Sequence, residues 1–360
     1  MGFFIKITYL LKLYQIVKAR YIKYTLQFKL PAETSRGILQ NKDTYFLIIE
    51  NKGKTGIGEC AMFKGLSIDD RPDYEDKLQW VCDSLSNNDF MVLHKLTEFP
   101  SIQFGIEQAI ISLGSSNGFD LYPSEFTRGK SSILINGLIW MGNEDFMLQQ
   151  VEEKIAEGFK TIKLKIGALD FESEIKILQF IRKKYTAQEI EIRLDANGAF
   201  LPHNALDKLK QLSAYQIHSI EQPIKPKQWE EMAHLCQNTP IPIALDEELI
   251  GVFNYQDKLN LLETIKPQFL ILKPSLLGGI AGCNQWIQSC ANQQIEFWIT
   301  SALESNIGLN AIAQYTFNLE SKLPQGLGTG GLFSNNFESP LTIENGCLKY
   351  NPLISWNVNL

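Results

Sequence analysis

Thr161-Ile-Lys163-Leu-Lys165-Ile-Gly167 places two lysines one residue apart inside an apolar run. Alternation along a strand turns both to the same side, and burying an ammonium there is costly unless it is paired or used in chemistry. Outward from this stretch, ionisable residues recur at the C-terminal ends of similar runs. Asp195 follows Ile190-Glu-Ile-Arg-Leu, Glu221 follows Ile217-His-Ser-Ile, Asp246 follows Ile241-Pro-Ile-Ala-Leu, and Lys273 follows Phe269-Leu-Ile-Leu. Successive steps of about 25 to 32 residues equal one strand plus one helix of a β/α barrel, whose active site gathers at the C-terminal strand ends.

Ile133-Leu-Ile-Asn-Gly and Phe297-Trp-Ile-Thr-Ser extend the series, and a weaker eighth run lies near Gly326-Leu-Gly-Thr-Gly. Parallel strands covered on both faces read as continuous apolar runs of this kind. The series therefore predicts an α/β fold, a closed (β/α) barrel over residues 131–335, in preference to an open doubly wound sheet. Tyr21 to Cys60 reads as an antiparallel meander with a polar loop at Pro31–Gly37 and a turn at Asn51-Lys-Gly-Lys. Asp69 to about Asn117 reads as helical, so residues 21–120 are expected to form an α+β capping domain. Phe337 to Leu360 reads as strands returning to it, which gives residues 336–360 to the same domain.

Residues 1–20 are basic and apolar with no acid among them. Lys6, Lys12 and Lys18 interrupt the stretch, no small-residue cleavage pattern follows, and it is too short to span a bilayer. An extension ahead of the fold is the expectation, and Lys6 stands where myristoylation needs a hydroxyl residue. The 360 residues carry a net charge of −6 and no basic stripe interleaved with aromatics, which argues against nucleic acid as a partner. Cysteines 60, 82, 236, 283, 290 and 347 form no C-x-x-C pair, as suits reduced thiols in the cytoplasm.

One acid at a strand end is ordinarily a helix cap or a solvated loop residue. Asp195, Glu221 and Asp246, on consecutive strands, point into one mouth, where uncompensated anions repel strongly. A divalent cation removes that cost, and an all-oxygen ligand set favours Mg²⁺ over Zn²⁺. None of the histidines at 94, 203, 218 and 234 ends a run of the ladder. Lys163 and Lys165 face Lys273 across the barrel, and the metal and neighbouring ammonium groups are expected to lower a lysine pKa towards neutrality. That arrangement fits abstraction of a proton α to a carboxylate in a small-molecule substrate. Gly326-Leu-Gly328-Thr-Gly-Gly331 matches G-x-G-x-x-G in form, but no strong strand precedes it and no helix pattern follows. Its N–H groups suit a substrate carboxylate instead. In Ser301-Ala-Leu-Glu-Ser305 the hydroxyls either face substrate or cap the next helix.

Lys-x-Lys, three acids and a final lysine on successive strands resemble the muconate-lactonizing branch of the enolase superfamily, over nearly the whole chain from Tyr21. Within the branch, Gly58-Glu-Cys-Ala, Gly65-Leu-Ser, Arg193-Leu-Asp-Ala-Asn, Leu272-Lys-Pro-Ser, Ser301-Ala-Leu-Glu-Ser and Gly326-Leu-Gly-Thr-Gly are most similar to the o-succinylbenzoate synthases of menaquinone biosynthesis. The resemblance implies a Mg²⁺-dependent lyase with Asp195, Glu221 and Asp246 as metal ligands. It implies that Lys165 takes the α-proton of a cyclohexadiene carboxylate and returns it to the departing hydroxyl, a syn dehydration through an enediolate. Lys273 would stabilise the developing charge, and Lys163 would orient the carboxylate and depress the pKa of Lys165. Arg193 and Asn197 would support the site, Glu247 would pair with Lys273, and Ser301, Glu304, Gly328 and Thr329 would contact or support the substrate. Pro31–Gly37 would be a mobile loop closing over it.

One departure is visible, and one absence bears on the substrate. Glu221-Gln222-Pro223 replaces the commoner Glu-Glu-Pro, for which tuning around the metal is the expectation. No Asp-x-Asp pair lies at 326–331, which counts against a dipeptide epimerase. An N-succinylamino acid racemase or a muconate cycloisomerase would use the same two lysines. A decayed, non-catalytic barrel would have lost part of the ladder, and all six members are present.

Overall fold

A computed structural model describes residues 18–34, 37–89, 91–291 and 293–360, together with Ile7, Leu10 and Ile16. β1 (Lys18–Thr34), β2 (Gly37–Asn51) and β3 (Lys54–Cys60) form an antiparallel meander in that order. β1 begins inside the segment read as an extension, and most of residues 1–17 lie outside the described residues. The expected loop Pro31–Gly37 is largely strand. Residues 31–34 continue β1 and Gly37 opens β2, while 35 and 36 lie outside the described residues.

Alternation gives β2 two faces. Tyr45, Leu47 and Ile49 pack on α1 (Tyr74–Ser86) and α2 (Pro100–Gly114). Thr44 and Phe46 turn to the other side, where Phe46 meets Ile307 and Phe337.

The second unit alternates strand and helix. β4 (Ser132–Leu134) and β5 (Gly137–Ile139) lead to α3 (Glu144–Ala156), β6 (Thr161–Lys165), α4 (Phe171–Lys184), β7 (Glu191–Asp195) and α5 (Pro202–Ser213). Then come β8 (Ser219–Glu221), α6 (Trp229–Asn238), β9 (Ile243–Leu245), α7 (Tyr255–Ile265) and β10 (Phe269–Leu272). After β10 follow α8 (Pro274–Leu277), α9 (Gly279–Cys290), β11 (Glu296–Ile299) and α10 (Asn306–Phe317). Side-chain caps start several helices where the sequence supplies them: Asn143 accepts from Phe146 N at 2.9 Å and Asp170 from Ser173 N at 3.1 Å.

β5 to β11 form a parallel sheet in sequence order. The eighth position is held by two residues only. Gln325 bridges Ile135 and Gly326 bridges Thr300, both in parallel, which closes the ring between β11 and the first strand. The run read as one first strand is in fact two elements, since β4 pairs antiparallel with the late strand β13.

β12 (Leu341–Glu344) pairs with β13 (Cys347–Tyr350), and β13 with β4, at the foot of the barrel. They do not pair with the N-terminal meander to which the sequence reading sent them. Contact with that sheet comes instead from Phe337, Trp356, Val358 and Leu360, gathered around Phe46. Among the described residues no helix is long and apolar enough to cross a membrane.

Candidate active site

The ladder residues meet at the C-terminal mouth of the barrel. Lys163 and Lys165 leave β6 on one side, as alternation requires. The Lys163 ammonium pairs with Asp195 at 3.0 Å and with Glu221. Lys165 donates to Asp195 Oδ2 at 3.1 Å and to Asn197 Oδ1 at 2.8 Å. Lys273, four strands further round the ring, pairs with Asp246. The cavity between them, about 110 Å³, is lined by Lys163, Lys165, Asp195, Asn197, Glu247 and Lys273, with Ser301, Gly328 and Thr329 on the far wall.

Burial opposes the charge on Asp195, but Lys163, Lys165 and Lys273 outweigh it and hold the carboxyl well below the usual carboxylate range. Glu221 goes the other way: burial, reinforced by the Asp195 charge, pushes it well above. Burial likewise opposes the ammonium of Lys163 and of Lys273. Neighbouring carboxylates win, Asp195 and Glu221 at Lys163 and Asp246 at Lys273, and hold both pKa values above the ordinary lysine range. Carboxylates are the nearest charges to these two lysines, and the lowering expected from the sequence concerns the site with a metal in it.

As they stand, the acids are bridged by ammonium groups, and no three such side chains among the described residues are gathered tightly enough to cage a metal. The donor set nevertheless fits a hard cation. It consists of oxygens from three consecutive strands, and Glu221 Oε1 is buried without a hydrogen-bond partner. A dication there would relieve the repulsion that raises Glu221.

The supporting residues are placed unevenly. Asn197 is central: its N–H donates to Asp195 Oδ1 at 3.1 Å and its amide to Glu247 Oε1 at 3.0 Å. Lys273 pairs with Asp246, and Glu247 adds to the field on it. Arg193 does not reach the cavity. It lies a layer lower, bonded to Glu191 at 2.9 Å and Pro324 O at 2.8 Å, with its guanidinium 4.3 Å from the Trp298 ring centre. Glu304 is fully buried behind the wall. It accepts from Ser301 Oγ at 2.6 Å, from Ala302 N at 2.6 Å and from Ser275, while Thr329 Oγ1 donates to Ser301 Oγ at 2.8 Å. In the Ser301–Ser305 motif, Ser301 lines the cavity and Ser305 caps α10.

Gln222 ties two loops together. Its oxygen accepts from Asp246 N and Glu248 N, and its amide donates to Ile224 O and Glu248. Sequence reasoning missed Phe63 and Leu66, which roof the cavity from the loop after β3, and Asn136, Leu138 and Trp140 from the first barrel strand. Asn136-Gly137, polar and then small at the end of an apolar run, was the one available signal for the latter group.

A β/α barrel whose strand ends present this acid ladder between opposed lysines defines an enolase-type barrel. The family described as enolase C-terminal domain-like matches residues 147–352, and the chain belongs to it. It is 44% identical to the o-succinylbenzoate synthase of Desulfotalea psychrophila, over 91% of this chain and 97% of that one. The crystal structure of MenC from the same organism superposes with a TM-score of 0.82 at 41% identity, covering 92% of this chain and 99% of that one. The dipeptide epimerase of Enterococcus faecalis, complexed with Mg and L-Leu-L-Tyr, gives a TM-score of 0.80 at 22% identity, over 94% and 99%, a likeness of fold.

Proposed function

We propose that this chain is an o-succinylbenzoate synthase, a lyase that dehydrates 2-succinyl-6-hydroxy-2,4-cyclohexadiene-1-carboxylate for menaquinone biosynthesis. The observation that carries the reading is Lys165 and Lys273 on opposite walls of one cavity with Asp195, Glu221 and Asp246 beside them.

Asn197 and Asp195 hold the Lys165 nitrogen in place, and in its neutral form it takes the ring proton α to the substrate carboxylate. The C–H electron pair moves into the ring and carboxylate, and Lys273 stabilises that charge as a cation. Expulsion of the hydroxyl follows on the same face, with Lys165 returning its proton so that water leaves and the ring becomes aromatic. Lys163 orients the substrate carboxylate. Asp195, Glu221 and Asp246 would hold a Mg²⁺, which would supply electrostatic stabilisation of charge developing on the substrate carboxylate. Ser301, Gly328 and Thr329 form the wall against which the substrate lies, and Arg193 and Glu304 support that wall and the barrel floor.

The same reading divides the labour among segments: residues 21–120 cap the site, 131–335 carry the chemistry, and 336–360 join the two. Six free cysteines suit a cytoplasmic enzyme acting on a small carboxylate, with no nucleic acid or membrane as partner. The test follows ultraviolet absorbance of the cyclohexadiene precursor with Mg²⁺ and then with EDTA. Mg²⁺-dependent loss of the diene is the expected result. No turnover, with solvent deuterium entering an N-succinylamino acid instead, moves the assignment to a racemase of the same family.

A further inference from the structure

Two side chains of the capping helix α2, one turn apart, grip the backbone that follows Lys273. Gln103 Nε2 donates to Gly278 O at 2.8 Å. Glu107 accepts from Ile280 N at 2.6 Å with one oxygen and from Ala281 N at 3.3 Å with the other, so it caps α9 from another part of the chain. Gln103 and Glu107 are both buried.

The gripped segment is short and sharply bent. Lys273 is followed at once by the four-residue α8, whose N–H groups at Leu276 and Leu277 bond back to Lys273 O at 2.9 and 3.1 Å. Gly278 and Gly279 then take φ values of +85° and +71°, a conformation that glycine adopts without strain. Gly279 also lets the carboxylate approach, since a Cβ there would fall on Glu107 Oε2. On the other side Ser275 donates to Glu304. The backbone of Lys273 is thus held through one rigid turn, with α2 at its far end. Burial pushes the Glu107 carboxyl up to about 8, against the pull of the two N–H groups, and either form keeps lone pairs for them.

We propose that Glu107, assisted by Gln103, is a positioning residue for the dehydration: through α8 it fixes the place of Lys273 in the cavity. This rests on the function proposed above, in which Lys273 stabilises charge in the transition state. A capping unit that sets a catalytic side chain from behind controls kcat more than substrate binding, because misplacement of about 1 Å costs up to about 10²-fold in rate.

The experiment measures kcat and KM on the diene for wild type, Glu107→Ala, Glu107→Gln and Gln103→Leu, with thermal unfolding of each as a check on folding. The expected result is a fall in kcat of about tenfold for Glu107→Ala with KM within about twofold, recovery by Glu107→Gln to within about threefold of wild type, and a smaller fall for Gln103→Leu. A folded Glu107→Ala enzyme with wild-type kcat overturns the inference, as does a rise in KM at unchanged kcat. Should Glu107→Ala not fold, unchanged kcat in Gln103→Leu overturns it and a lowered kcat with unchanged KM supports it. A wild type inactive on the diene overturns the functional reading and this inference with it, whereas an active wild type beside a fully active variant overturns the inference alone.

Discussion

Asp69 closes the loop that carries Phe63 and Leu66 over the cavity, and it does so from full burial. Its Oδ2 accepts from Ser101 N at 2.9 Å and Ser101 Oγ at 2.6 Å at the start of α2. Burial pushes the carboxyl from its ordinary 3.8 up to about 6, with the Ser101 donors pulling it back. Between those two values the folded protein keeps a proton that the unfolded chain has released, so this contribution to stability is present below pH 3.8 and is lost as pH rises to about 6. Urea unfolding at pH 4 to 7 should show wild type losing up to about 3 kcal/mol more than Asp69→Asn across that window. Parallel curves would remove the account. Neither Asp69 nor the roof it anchors was legible in the sequence, because a buried polar anchor leaves no periodic trace. The ladder was legible, because strand ends recur at the period of the fold. Arg193 shows the limit of that reading: it precedes Asp195 by two on the inward side of β7, yet sits a layer below the cavity.

The contact between β3 and α2 depends on two residues without side chains. A Cβ at Gly58 would come far inside van der Waals contact with Gly105 O, and one at Gly56 far inside contact with Ala109 O. Strand and helix backbones therefore touch, and the opposite face of the helix carries Gln103 and Glu107 to the turn after Lys273. Gly58→Ala should destabilise the protein by about 3 kcal/mol or more, as overpacking against backbone does, read as a drop in thermal midpoint. A shift smaller than a degree would mean that α2 recedes freely. Strand pairings of high sequence separation were the elements least visible beforehand. β4 is inseparable from β5 by composition because only its partner β13, more than two hundred residues later, distinguishes them. The eighth barrel position was faint for a similar reason, having just Gln325 and Gly326 in the ladder.

At the scale of the whole molecule, the capping unit and the barrel are joined by carboxylates set on helix ends. Glu59 accepts from Ser305 N at 3.0 Å, Ser305 Oγ at 2.6 Å and Gly308 N at 2.9 Å at the start of α10, as Glu107 does at α9. A cation bound at the acid ladder of the folded barrel should stabilise the molecule by linkage. Mg²⁺ at about a hundred times its dissociation constant should add about 2.7 kcal/mol, seen as a rise in thermal midpoint that EDTA reverses and Glu221→Ala abolishes. An unchanged midpoint at high Mg²⁺ in the wild type would count against metal binding at the ladder. The order of synthesis gives the seam at Gln325 and Gly326 a further meaning. A nascent chain leaving the ribosome carries the first seven barrel strands before the residues that close the ring, and it waits longer still for β13 to cover β4. Until then Ile135 and Thr300 stand at two open edges, so the growing polypeptide passes through a stage in which chaperones rather than its own ladder must guard it against sticking to its neighbours.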